Sequence, residues 1–186
     1  KRMGFFERWR EKRRISRLAK SINRELLGMG SDPGGWDGGE GGCVANHRVA
    51  RMGVLSELKH YLSITQEPVV IRTWPHLMAL HDRNGLILPL DFPSSITINL
   101  GDGGALVAAS AVRLQQELWS VNNLLHIDET FAIRKMVDFL DANDRDIAMY
   151  ESRFGTQEGF WAKFAYVILK HLVDTSVKRQ LPVIIA

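Results

Sequence analysis

Hydrophobic positions recur at helical spacing in the first stretch of the chain. Ile15, Leu18, Ala19, Ile22 and Leu26 follow the i, i+3, i+4, i+7, i+11 pattern. At about 100° per residue they gather within one arc of roughly 100°. Residues 1–28 contain no proline, and Glu, Arg, Lys, Leu and Ala dominate them, all good helix formers. The pattern predicts an amphipathic helix ended by Gly28 and Gly30. Phe5, Phe6 and Trp9 sit off the main stripe, at its front.

A second region, from about residue 44 onward, mixes helical and strand signals. Val54, Leu55, Leu58, Tyr61 and Leu62 mark one face of a helix over 44–63, with Gly53 weakening its middle. Glu67-Pro68 breaks the chain, and the β-branched run Val69-Val70-Ile71 predicts a short strand. Pro75 suits the first position of a short helix reaching Asp82. Arg83-Asn84-Gly85 reads as a turn. Leu86-Ile87-Leu88 and Ile96-Thr97-Ile98-Asn99-Leu100 read as strands, the latter the clearest in the chain. From Ala105 the spacing turns helical, with Val107, Ala111, Leu114, Leu118 and Val121 on one face, and Asn122-Asn123 closes that helix.

Asp128 is placed to cap a further helix reaching Leu140. A polar turn, residues 141–146, and a short helix ending at Gly155 follow. Residues 157–179 predict a long helix whose apolar arc is so wide that it must lie mostly in the core. Lys163, Tyr166, Lys170 and Asp174 mark its polar side. Pro182-Val183-Ile184-Ile185 reads as a last strand or as a hydrophobic tail that packs on a partner. The fold class expected is therefore α+β: a mostly helical body with a small sheet over 44–186. A basic amphipathic helix, 1–28, and a glycine-rich linker, 29–43, precede it.

The linker assignment rests on composition. Residues 28–42 hold eight of the 16 glycines, and a flexible chain of that length reaches roughly 20 Å. Trp36 in its middle is suited to anchoring in a pocket. Asp32, Asp37 and Glu40 lack the alternating ligands and final Glu of a calcium loop.

Charge sharpens the division. Residues 1–28 carry ten bases against three acids, a net of +7, whereas the remainder carries 14 bases against 18 acids, a net of −4. The high pI thus belongs to the arm. Arg10, Arg13, Arg14, Arg17, Lys20 and Arg24 fall opposite the apolar stripe, which suits an anionic partner. Ile15, Leu18, Ile22 and Leu26, with Phe5, Phe6 and Trp9 in front, suit an interface with the body, a neighbouring subunit or a membrane surface. Nucleic acid ranks behind these because no base-reading motif accompanies the arginines. The 45% apolar fraction excludes disorder for most of the chain. Cys43 is the single cysteine, so no disulfide framework is expected, and a reducing compartment is: cytoplasm or the cytoplasmic face of a membrane. No apolar run approaches the roughly 20 residues of a membrane span, and no secretory apolar region lies near the start.

Candidate chemistry is sparse. Gly101, Asp102, Gly103 and Gly104, between a strand and an expected helix, are a candidate phosphate loop, because a helix N-terminus offers unpaired N–H groups. The third glycine of a dinucleotide fingerprint and the Gly-Lys-Ser/Thr of a Walker loop are missing. A tight turn with Asp102 near the helix N-terminus is one alternative, and an antiparallel hairpin from Ile96–Leu100 to Ala105–Ala108, using Asp102-Gly103 as its turn, is another. His81-Asp82 resembles the His-Asp pair of HD-type metal-dependent phosphohydrolases. That resemblance implies a metal shared with His47 or His60 and with Asp128 or Asp138, against which Arg83-Asn84-Gly85 reads as a turn. Cys43 and His47 have metal spacing but no completing pair. Ser94, Ser95 and Ser110 lack a Gly-x-Ser-x-Gly setting. Asp138, Asp141, Asp144 and Asp146 read as a solvated helix end and turn.

No cofactor and no metal are expected. The function expected is that of a non-enzymatic subunit of a larger assembly (virion, secretion or membrane-associated), oligomeric and docking through the arm. The alternatives are a nucleotide- or phosphate-binding enzyme using the Gly101–Gly104 loop and a nucleic-acid-binding adaptor acting through the arm.

Overall fold

The run Leu86-Ile87-Leu88 is apolar without alternation, which is what a strand covered on both faces requires. The computed structural model describes residues 5–31, 53–99, 104–127 and 159–185, with side chains from residue 16 onward except that of Val54. In it, β1 (Gly85–Leu88) is buried at all four positions. It pairs in parallel with β3 (Ala105–Ser110) and antiparallel with β4 (Val183–Ile185). β3 also pairs antiparallel with β2 (Ile96–Asn99), so the strand order is β2-β3-β1-β4. On the edge strand β2, Ile96 and Ile98 are buried while Thr97 and Asn99 are exposed, the period-two pattern of a half-covered strand.

Among the described residues six helices flank this sheet: α1 (Phe5–Gly28), α2 (Val54–Thr65), α3 (Pro68–Ile71), α4 (Pro75–Ala79), α5 (Ala111–Leu125) and α6 (Phe160–Arg179). Side-chain alternation along the strands sorts the interior into two cores. Ile87 and Ala109 join the core built by α2, α4, α5 and α6. Leu86, Leu88, Ile96, Ile98 and Ala108 point the other way and meet Phe92 together with Ile22 and Leu26 of α1. The expected α+β class is what the structure shows.

Several local expectations hold. α1 ends at Gly28, and Gly30 takes a positive φ of 71° while the Ser31 N–H reaches the Leu26 carbonyl at 2.9 Å, closing the helix in the manner of a glycine C-terminal motif. β1, β2, β4 and α6 lie where the pattern placed them, to within a residue or a few. α6 starts after Gly159, whose φ is 70° and on which a Cβ would meet Tyr61 Cε2 of α2 at 2.8 Å. Only glycine permits both that backbone conformation and that approach.

Other expectations are corrected. Val69–Ile71 is not a strand but most of α3. Pro68 is preset for the first helical position, and the Val70 and Ile71 N–H groups bond to Glu67 O, closing one turn. Residues 105–110 are not helical but form β3, because their backbone pairs with β2 on one side and β1 on the other. Helix α5 starts only at Ala111, with the Ser110 hydroxyl accepting from the Arg113 N–H at 3.1 Å. Gly53 stands at the left-handed N-cap of α2 rather than inside it, and Tyr166, expected on the polar side of α6, is buried. The helices and turn expected over 128–155, the start of the helix expected over 44–63, and most of the glycine-rich linker lie outside the described residues.

Candidate functional site

The most polar part of the interior surrounds the first turn of α4. That turn begins with Pro75, so the next N–H groups, of His76 and Leu77, lack partners within the helix. Glu117 supplies them from α5. Its Oε1 accepts from His76 N at 3.0 Å and its Oε2 from Leu77 N at 2.7 Å. The carboxylate is buried. Burial pushes its pKa above the ordinary range, and the two backbone bonds partly oppose that shift.

His76 lies in the same layer, 1% exposed, with its ring edge-on to Phe92 at 5.6 Å. Its Nδ1 accepts from the Ser110 N–H at 3.2 Å, which places the proton of the neutral ring on Nε2. Nε2 is buried and makes no hydrogen bond. Burial depresses the imidazole pKa; the nearby backbone of Pro93 and Phe92 pulls it back only in part. The Ser110 hydroxyl donates to Leu90 O at 2.6 Å. The serine hydroxyl thus gives its proton to Leu90 O and accepts from Arg113 N, and Glu117 engages backbone N–H groups. Ser110, His76 and Glu117 together form a positioning network for α4 and α5, not a nucleophile with its base.

Two further side chains tie the helical layer together. Asp82 Oδ1 accepts from Leu55 N at 2.8 Å, and its Oδ2 from Ser56 N at 3.1 Å and from the Ser56 hydroxyl at 2.5 Å, capping α2 from a remote loop. Lys59 of α2 donates from Nζ to the carbonyls of Met78 and Leu80, at the end of α4. Burial lowers its pKa, and Asp82 opposes that shift. Of the His-Asp pair singled out by resemblance, Asp82 is engaged in capping α2 and His81 is exposed; His47, Asp128 and Asp138 lie outside the described residues. Among the described residues no group of three or more metal-binding side chains comes together.

Of these residues the sequence pattern missed His76, Lys59 and Glu117. A signal for Glu117 was available, since an acid three residues after Leu114 and just before Leu118 stands at the edge of the apolar stripe of α5.

The candidate phosphate loop, Gly101–Gly104, lies between β2 and β3 rather than between a strand and a helix. Gly101–Gly104 connects two antiparallel strands whose register runs from Asn99↔Ala105. The next described helix, α5, begins only at Ala111, beyond β3. Residues 101–103 themselves lie outside the described residues.

On α1 the structure divides the predicted faces. Ala19, Ile22 and Leu26 are 3%, 0% and 0% exposed and Leu18 is partly covered, whereas Arg17, Lys20 and Arg24 are exposed. The side chains of Phe5, Phe6, Trp9, Arg10, Arg13, Arg14 and Ile15 are outside the described set. Among the described residues no helix is long and apolar enough to cross a membrane.

The fold and its polar interior define an α+β protein whose described buried polar side chains chiefly cap and orient helices. A family model described as "Putative DNA-mimic protein" matches residues 45–185, and the chain belongs to that family. The match takes in the body and leaves α1 outside. No curated protein and no solved structure matches the chain.

Proposed function

We propose that the protein is a non-enzymatic interaction subunit whose body engages a DNA-binding protein where that protein holds DNA. The family match over 45–185 carries this reading. The polar network supports it, because His76, Ser110, Glu117, Lys59 and Asp82 are committed to backbone groups. Imitating DNA requires a run of unneutralised negative charge. In the described body, Asp91 pairs with Arg113 at 2.6 Å and Asp174 with Lys170 at 2.6 Å. The acidic excess instead resides in residues 128–158, which hold eight acids against four bases.

The test is competition. A panel of purified DNA-binding proteins is loaded with labelled duplex, and the protein is added with Arg17, Lys20 and Arg24 reversed to Glu so that α1 does not hold the probe. Release of duplex from at least one panel member is expected, and it should be lost when Asp138, Asp141, Asp144 and Asp146 are changed to Asn. Retention of duplex by every panel member, or undiminished release by the Asn variant, would defeat the reading.

A further inference from the structure

We infer that the outward face of α1 is a docking surface for the phosphate backbone of duplex DNA. The sequence of the helix provides the stripe. Arg10, Arg13, Arg14, Arg17, Lys20 and Arg24 recur at spacings of one, three and four within Phe5–Gly28. At about 100° per residue these positions share an arc of roughly 120°. From residue 10 to the end of the helix that arc otherwise holds only Ser21 and Gly28. Glu7 and Glu25 fall on the flank between this arc and the apolar stripe, and Glu11 falls within the arc of the apolar stripe. The basic stripe therefore runs roughly 21 Å, at 1.5 Å per residue, with no acid inside it.

The tertiary structure determines which way the stripe faces and which anion suits it. Ile22 and Leu26 are fully buried against Leu86, Leu88 and Ile98, and Arg17, Lys20 and Arg24 are exposed on the other side. A helix that lies on an anionic bilayer sinks its apolar face into the headgroup boundary. From Ala19 to Leu26 that face is already in the core, so what this part of the helix leaves outside engages a partner through charge. Duplex DNA offers about one negative charge per 1.7 Å of axis, or roughly a dozen along the stripe. A helix about 10–12 Å wide also matches a major groove about 12 Å wide. With no Asn or Gln in the arc, the contacts fall chiefly on phosphates and binding tolerates any sequence. This inference stands on α1 alone and does not depend on how the body treats DNA-binding proteins.

The experiment is fluorescence anisotropy of the full chain with a short mixed-sequence duplex, in a salt series, beside flotation with phosphatidylserine-containing vesicles. The expected result is duplex binding that weakens on the order of a hundredfold or more between about 0.05 and 0.2 M salt, as contact with roughly five phosphates requires. Reversing Arg17, Lys20 and Arg24 to Glu should weaken binding at least about tenfold while leaving the thermal midpoint in place. Should that variant fail to fold, the same three positions as Gln give the readout. Arg17→Lys with Arg24→Lys should retain binding. Absence of duplex binding at the lowest salt, salt-independent binding, undiminished binding by the charge variants, or binding to vesicles without binding to duplex would each overturn the inference.

Discussion

The two faces of the sheet are covered in different ways. One face meets α2, α4, α5 and α6, of which α2, α4 and α5 are stitched together by Asp82, Glu117 and Lys59 as well as by packing. The other face meets α1, whose contribution to the buried set is Ala19, Ile22 and Leu26. On the first face polar side chains satisfy backbone groups that packing alone would strand. On the second, attachment is apolar and comes from a segment outside the family match. The contrast teaches that α1 combines two tasks on one element: closing a core with one side and presenting charge with the other.

The largest expected effect breaks the second face. Changing both Ile22 and Leu26 to Ala removes two fully buried side chains, each costing about 2–5 kcal/mol. At roughly 2–4 °C per kcal/mol for a chain of this size, the thermal midpoint should fall by about 8 °C or more. Circular dichroism melting checks this. A midpoint that does not move would mean that α1 does not close the core in solution.

Next is the stitching of the first face. Glu117→Ala strands the His76 and Leu77 N–H groups and opens a cavity, with an expected loss of about 2–4 kcal/mol. Glu117→Gln keeps one acceptor and should lose less. Chemical denaturation measures both, and equal losses would show that the carboxylate is not the helix cap. Asp82→Ala should cost about 0.5–2 kcal/mol through loss of the α2 cap. In hydrogen exchange its effect should appear first at Leu55 and Ser56.

The smallest expected effect is a pH dependence. The folded-state pKa of His76 is depressed below 6.5, so the unfolded chain binds the proton more readily. The His76 contribution is thus complete above that unfolded value and is lost as pH falls through it toward the depressed folded value. Glu117, whose folded pKa is raised above 4.5, acts in the opposite sense: its burial penalty is relieved as pH falls through the raised value toward 4.5. Stability should therefore drop on acidification from about pH 7 to 6, and His76→Phe should flatten that slope. An unchanged slope in the variant would assign the dependence to another group.

Much of this architecture was legible in the residue pattern, for reasons that differ by element. α1 and α6 are long enough for many apolar positions to agree on one period, and β1 is marked by an unbroken apolar run bounded by turn residues. Ala105–Ser110 was legible only as one of two alternatives, helix or hairpin strand, because alanine and valine at short range fit either period. Val69–Ile71 misled because β-branched residues favour strands, whereas Pro68 had already set a helical turn. Of the candidate site residues, the exposure of Arg17, Lys20 and Arg24 follows from the opposite arc of α1, while the network of His76, Glu117 and Lys59 joins positions far apart in the chain.

Charge and period along the chain by themselves determined that a basic amphipathic helix precedes a mildly acidic α+β body. Both are properties of neighbouring residues, which local geometry converts directly into faces. Only the tertiary structure decided that α1 lies on the sheet, that Gly101–Gly104 joins two strands, and that Asp82 and Glu117 serve as caps. Each of these depends on a hydrogen bond or an apolar contact between segments distant in sequence. Such partners are chosen by which arrangement leaves the fewest buried polar groups unsatisfied, and no local pattern contains that comparison.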